Sequence, residues 1–161
     1  MRACLDGEVP SPLWLSVSGL QLLRRGTIWV LSLAAMKAVI IGAGRGSRLQ
    51  HMTDRIPKTM VPIVGKPMIE HVLGGLEAGG FAHGDIVFVC GYLATTIQAA
   101  YPTLNYVANQ DWPNNNILLS LLCAREHLGD GFVSTYADIV YRPEAIEKVM
   151  ASPHDLSLIH I

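Results

Sequence analysis

From Met36 onward the chain predicts an α/β domain built on a mostly parallel sheet, and three observations carry that prediction. Short apolar runs alternate with segments of helical periodicity, a glycine-rich turn follows the first run directly, and Pro, Gly and Asn punctuate the boundaries. The first strand is placed at 36–41, where Lys37-Ala-Val-Ile-Ile41 reads as a parallel strand buried on both faces. Pro67 suits the first turn of a helix whose Met68, Ile69, Val72, Leu73 and Leu76 recur on one face, and Gly79-Gly80 end it. Further strands are placed at 85–90, 104–108 and 132–137. A second helix covers roughly 93–100. A third starts at the Asn114-Asn115-Asn116 run and carries Ile117, Leu118, Leu121, Leu122 and Leu128, and a fourth runs from Pro143 to Met150. Asp155 to Ile161 open another strand, so residues 36–161 are expected to be the N-terminal part of a domain whose sheet is incomplete at the C-terminus. Leu156 to Ile161 also resemble a translated adapter, so they are not expected to take part in function.

Composition narrows the class of partner. At 161 residues, half of them hydrophobic, 16% charged and with a formal net charge of -1, the chain is neither a disordered segment nor a strongly basic nucleic-acid binder. A small-molecule partner is expected. Cys4, Cys90 and Cys123 form no C-x-x-C pair, and Cys90 and Cys123 fall in apolar stretches where free thiols act as small core residues, which fits a reducing, cytoplasmic compartment. The six histidines make no zinc-type spacing. Before Met36, Arg24-Arg25 followed by an apolar run has the shape of a signal segment, but the run is too short to span a bilayer. Residues 1–35 are therefore expected to be a non-native or disordered extension with Met36 as the natural start; a membrane anchor is the alternative.

The turn Gly42-Ala-Gly-Arg-Gly46 can bring backbone N–H groups close to phosphate. A P-loop is excluded, because Gly65-Lys66 is followed by Pro67 and no glycine stands five positions before Gly65. The dinucleotide fingerprint G-x-G-x-x-G is incomplete: Gly42 and Gly44 fit, Ser47 does not, and no acidic residue ends a second strand about twenty positions on.

A third pattern absorbs more residues. Ile41-Gly-Ala-Gly-Arg-Gly-Ser-Arg-Leu49, then Pro57-Lys58, then Gly65-Lys66-Pro67 resembles the nucleotidyltransferase signature L-A-A-G-x-G-[ST]-R-L, P-K, G-K-P. Gly42 stands where that family usually has alanine, a change expected to loosen the turn without removing a donor. The resemblance covers Met36 to about Asp155. It implies a Rossmann-like, three-layer α/β/α nucleotidyltransferase core, with Ile41, Gly42, Ala43, Gly44, Arg45, Gly46 and Ser47 holding base and phosphates, and with Arg48 and Lys58 on the triphosphate. Charge logic agrees, since expelling pyrophosphate builds negative charge that fixed cations offset.

Such transfers use Mg²⁺, which takes one or two carboxylates and completes its shell with phosphate oxygens. Asp138 follows the apolar run Phe132 to Ala137, at the strand end where ligands bind in open α/β sheets, and matches the family's metal-binding aspartate; an ordinary turn aspartate is the alternative. A second acidic ligand is expected downstream of Ile161. Asp85 and Asp111 are not assigned to metal. The segment from Asn109 to Ser120 resembles the corresponding stretch of bacterial choline-phosphate cytidylyltransferases. There Asn115 and Asn116 are candidates for ribose or acceptor phosphate, with helix capping as the equal alternative. Trp112, Tyr136 and Tyr141 are candidates to line a choline site through cation-π attraction, with core packing the expected role of at least one.

The resulting expectation is transfer of a nucleoside monophosphate from CTP to phosphocholine, with a nucleoside triphosphate and a small phosphorylated acceptor as partners, and neither nucleic acid nor membrane. A sugar-1-phosphate nucleotidyltransferase using UTP, dTTP or GTP is the alternative within the class. Outside it stand an NAD-binding Rossmann protein, which leaves Pro57-Lys58, Gly65-Lys66-Pro67 and Asp138 unexplained, and a non-catalytic nucleotide-binding fragment.

Overall fold

The structure, a computed structural model, describes the backbone of 15–17, 20–25 and 28–31, and then residues 36–114, 116–129 and 131–152. The chain divides into two compact units, Met1–Ala35 and Met36–Ile161. In the first, β1 (Leu15–Val17), β2 (Leu20–Arg25) and β3 (Ile28–Leu31) form an antiparallel meander in that order.

The second unit is the α/β domain. Its elements are β4 (Lys37–Ile41), a hairpin of β5 (Pro62–Ile63) and β6 (Lys66–Pro67), α1 (Met68–Ala78), β7 (Ile86–Cys90), α2 (Ala94–Ala100), β8 (Asn105–Ala108), α3 (Ile117–Cys123), β9 (Phe132–Tyr136) and α4 (Pro143–Met150). The sheet runs β8-β7-β4-β9 with every neighbour parallel. The first strand is thus flanked on both sides: Ile41 stands opposite Val89 of β7 and Tyr136 of β9. Its uniform apolarity follows from that position, with Ala38, Val39 and Ile40 fully buried.

Alternation along the strands divides the core between two faces. Ala38 and Ile40, Ile86 and Phe88, and Val133 point to one side, where Ile69, Val72, Leu73 and Leu76 of α1, Ile97 of α2 and Ile146 of α4 cover them. Val39, Val87 and Val89 point to the other, against Ala124 and the half-buried Leu121, Leu128 and Trp112. This is the three-layer arrangement expected. The end of α1 follows its glycines: the Gly80 N–H donates to Glu77 O at 2.9 Å and the Phe81 N–H to Leu76 O at 3.1 Å, a Schellman closure that needs the left-handed Gly80 at φ 93°.

Several local expectations change. Pro67 precedes α1 as its N-cap instead of entering the first turn, and Leu93 caps α2 with φ 49° instead of belonging to it. The third helix stops at Cys123 and continues only as a short 3₁₀ turn, Arg125–His127. Ile117, Leu118 and Leu122 are exposed. Cys90 is buried as predicted and burial raises its thiol pKa, but Cys123 is exposed, because apolar neighbours in sequence do not decide which side of α3 meets the sheet. The strand expected from Asp155 lies outside the described residues. Among the described residues no helix is long and apolar enough to cross a membrane.

Candidate functional site

At the C-terminal ends of β4, β7 and β9 the chain brings the glycine turn, Pro57-Lys58 and Asp138 together. Beyond Ile41, the Gly42 N–H continues the ladder by donating to Val89 O at 3.0 Å, so that donor is committed to the fold. A Cβ on Gly42 would lie 2.4 Å from Cζ of Phe88 and 2.9 Å from Cβ of Ala137. The glycine therefore does not loosen the turn; it lets the Phe88 ring close beneath it. Gly44 has nothing within 4 Å of a built Cβ and is exposed, which leaves open space over that part of the turn.

Gly46 is required twice. Its φ of 71° is left-handed, and a Cβ there would meet the Lys58 side chain at 2.6 to 2.8 Å. The Lys58 stem thus lies across the Gly46 backbone, and its Nζ donates to Oδ2 of Asp138. Pro57, in extended conformation, caps the 3₁₀ turn Lys58–Met60, and the buried Thr59 hydroxyl donates to Ala137 O at 3.1 Å. The Ala137 N–H in turn donates to Ile41 O at 3.0 Å. Ala137 is the junction at which the glycine turn, the Pro57-Lys58 segment and the strand end carrying Asp138 meet. Sequence reasoning singled out Lys58 and Asp138 but missed Thr59, whose only signal was its place after the lysine.

Ser47 and Arg48 open the 3₁₀ segment Ser47–Thr53 and are exposed, and no ion-pair partner of Arg48 is found among the described residues. Arg45 instead folds back: its Nη2 donates to Oδ1 of Asp54 at 2.8 Å and its guanidinium lies 5.6 Å from the centre of the Tyr92 ring.

On the other flank, Trp112 is half-buried, with its Cβ against Gly91 and its ring edge-on to Tyr92 at 5.3 Å. Asn109 is buried, donates from Nδ2 to the Ser120 hydroxyl at 2.9 Å and accepts from the Asp111 N–H at 3.1 Å. Asn116 caps α3, its Oδ1 accepting from the Leu119 N–H at 3.0 Å, which is the alternative given for it. Asn115 lies outside the described residues. Tyr136 ends β9 with an exposed side chain, whereas Tyr141 is a packing residue, held against Gly75 and donating to Val72 O at 3.4 Å; burial pushes its phenol up to about 12. Asp85 pairs with Lys37 at 2.7 Å, and Asp111 accepts from Asn114 at 2.9 Å, roles that account for both without a metal.

The donor set at Asp138 bears on a cation. Asp138 is the carboxylate just past the end of β9, and no group of three His, Cys, Asp or Glu side chains comes together among the described residues. That fits a hard cation taking its remaining oxygens from phosphates, not an all-protein cage.

A parallel sheet with a glycine turn, a lysine and an aspartate converging at the C-terminal end of its central strands presents the edge at which open α/β proteins take their ligands. The chain belongs to the family described as the MobA-like NTP transferase domain, matched over residues 38–157. It is 33% identical over 124 residues to the CMP-5'-(3-aminopropyl)phosphonate synthase of Streptomyces rubellomurinus, covering 73% of this chain and 19% of that one. It is 35% identical over 102 residues to the choline-phosphate cytidylyltransferase of Streptococcus pneumoniae, covering 61% and 43%. The solved CTP:phosphocholine cytidylyltransferase of Streptococcus pneumoniae superposes with a TM-score of 0.56 at 29% identity, over 68% of this chain and 50% of that one. The chain thus spans half or less of these relatives. Family membership removes the NAD-binding alternative.

Proposed function

We propose that the protein transfers a cytidine monophosphate from CTP to a small phosphorylated acceptor that carries a cationic nitrogen, with phosphocholine the first choice, and releases pyrophosphate. One observation supports this reading most: Lys58, laid over Gly46, meets Asp138 at the strand ends, so the group for the triphosphate and the group for the cation share one spot. The relatives named above act, by their names, on phosphocholine or make a CMP-aminopropylphosphonate, and both acceptors join an anionic phosphorus group to a nitrogen.

In this mechanism the turn from Ile41 to Ser47 receives base and phosphates beyond the Gly42 N–H that Val89 keeps, with the open side over Gly44 as the approach. Arg48 and Lys58 sit against the oxygens that gain charge as the bond from the α-phosphorus to pyrophosphate breaks, while an acceptor oxygen forms the new bond in line. Asp138 would hold Mg²⁺, which when bound neutralises charge on the phosphate oxygens. Trp112 and Tyr136 offer aromatic faces for the acceptor's nitrogen. Residues 36–161 carry all of these groups.

Pyrophosphate release measured for each nucleoside triphosphate, paired in turn with phosphocholine, 2-aminoethylphosphonate and glucose-1-phosphate, tests the reading. CTP with an amine-bearing acceptor is expected to be the fastest pair. Turnover confined to a sugar phosphate with UTP, dTTP or GTP would replace it with the sugar-nucleotide alternative.

A further inference from the structure

Tyr92, at the start of the loop after β7, touches the glycine turn and its continuation at three separate points. Its backbone N–H donates to Ala43 O at 2.9 Å. The ring lies under the Arg45 guanidinium at 5.6 Å. Its hydroxyl donates to Thr53 O at 2.9 Å and approaches Asp54 O at 3.2 Å. One residue therefore spans the beginning, the middle and the end of the stretch from Ala43 to Asp54, which contains the candidate ligands Ala43 to Ser47 of the turn together with Arg48.

That stretch needs holding. Gln50 sits at φ 50°, ψ -127°, an uncommon conformation for a residue with a side chain, at a kink within the 3₁₀ segment Ser47–Thr53. The Thr53 hydroxyl donates to Gln50 O at 3.1 Å, and Thr53 O is the acceptor of the Tyr92 hydroxyl. The kink is thus tied to Thr53, and Thr53 is tied to Tyr92. The Arg45–Asp54 pair does not supply the same hold, because its side chains are 48% and 55% exposed and such pairs contribute little. Behind Tyr92, Trp112 packs edge-on, and Gly91 sits close to both Trp112 and Ala43 O, so the ring is backed by Trp112.

We propose that Tyr92 is a positioning residue for nucleotide binding: it braces the Ala43–Asp54 loop and so sets where Arg48 stands relative to the turn. The role rests on the nucleotidyltransferase reading for its consequence but not for its geometry, and the two are tested apart. Tyr92→Phe removes the hydroxyl and keeps the ring beneath Arg45 and against Trp112. Hydrogen exchange of the ligand-free chain should then speed up in residues 44–54 while β4 and β7 stay protected. CTP affinity, measured by calorimetry, should fall by about three- to tenfold, the range expected for one lost hydrogen bond. On an Arg48→Ala background the same substitution should change CTP affinity by less than about twofold, whereas a general loss of stability would act equally on both backgrounds. Unchanged exchange of the loop in Tyr92→Phe overturns the brace. A loosened loop with undiminished CTP affinity, or an effect that persists without Arg48, overturns its role in positioning. Failure of the unsubstituted chain to bind CTP or any other nucleoside triphosphate, with the loop still loosened by Tyr92→Phe, counts against the nucleotide reading and leaves the brace standing.

Discussion

The two flanks of the sheet's C-terminal edge are built differently. On the glycine-turn flank, close backbone approaches do the work: Gly42 lies against Phe88, Gly46 against Lys58, and Ala137 joins three segments. On the Asn109–Ser120 flank, polar side chains are used to hold the loop itself, with Asn109 on Ser120 and Asn116 on the first turn of α3. The first flank therefore presents side chains outward from a backbone frame, and the second spends side chains on making its frame. Substitutions in the first should damage ligand binding and rate; substitutions in the second should damage stability first.

The largest effect is expected at Lys58. Lys58→Ala should lower the rate of pyrophosphate release by about two orders of magnitude if the ammonium meets developing charge. The same change should shift the unfolding free energy by less than about 1 kcal/mol, because the pair with Asp138 is about one-third exposed and solvent screens it. A rate within a factor of three of the parent, or a large loss of stability, would erase the contrast between the flanks from the catalytic side.

A second test reverses the logic at Gly42. The signature that this turn resembles has alanine there, yet an added methyl group in this chain would collide with Phe88 and Ala137. Gly42→Ala should destabilise by about 1 to 3 kcal/mol through overpacking, read from chemical denaturation, and Phe88→Leu in the same chain should recover much of it. Absence of any recovery would mean that Phe88 is not what makes glycine necessary.

The glycine-turn flank was also the one legible in the sequence. Its motifs depend on backbone conformation, and residues such as Gly46 and Pro57 announce such demands directly. Strand positions were legible for a related reason, since burial on both faces leaves the unbroken apolar runs of β4 and β7. The outward face of α3 was not. Ile117, Leu118 and Leu122 are apolar on a predicted helix, but the seven-residue α3 leaves them exposed, since it meets the sheet along one side. Tyr92 was missed because its role is in three contacts with a loop some forty residues earlier, and nothing in its own neighbourhood of the sequence signals them. Gly65-Lys66-Pro67 is legible as a motif, but the turn of the hairpin Pro62–Pro67 that contains it is not: Val64 and Gly65 both have positive φ, and valine is a residue that such turns rarely use.

The smallest expected effect decides what Asn116 is for. Its Oδ1 satisfies the Leu119 N–H, one of the donors that a helix start leaves open. Asn116→Ala should cost about 1 kcal/mol of stability, Asn116→Ser or Asn116→Asp should restore most of it, and the affinity for CTP and the KM for the acceptor should stay within about twofold. Serine and aspartate keep a capping oxygen but lack the amide that could donate to a ribose or an acceptor phosphate. If both variants cap yet raise the acceptor KM tenfold, the amide reaches the ligand, and the Asn109–Ser120 flank then presents side chains to the site as the glycine-turn flank does. If stability alone responds, the asparagine belongs to the frame, and recognition of the acceptor on this side falls to Trp112.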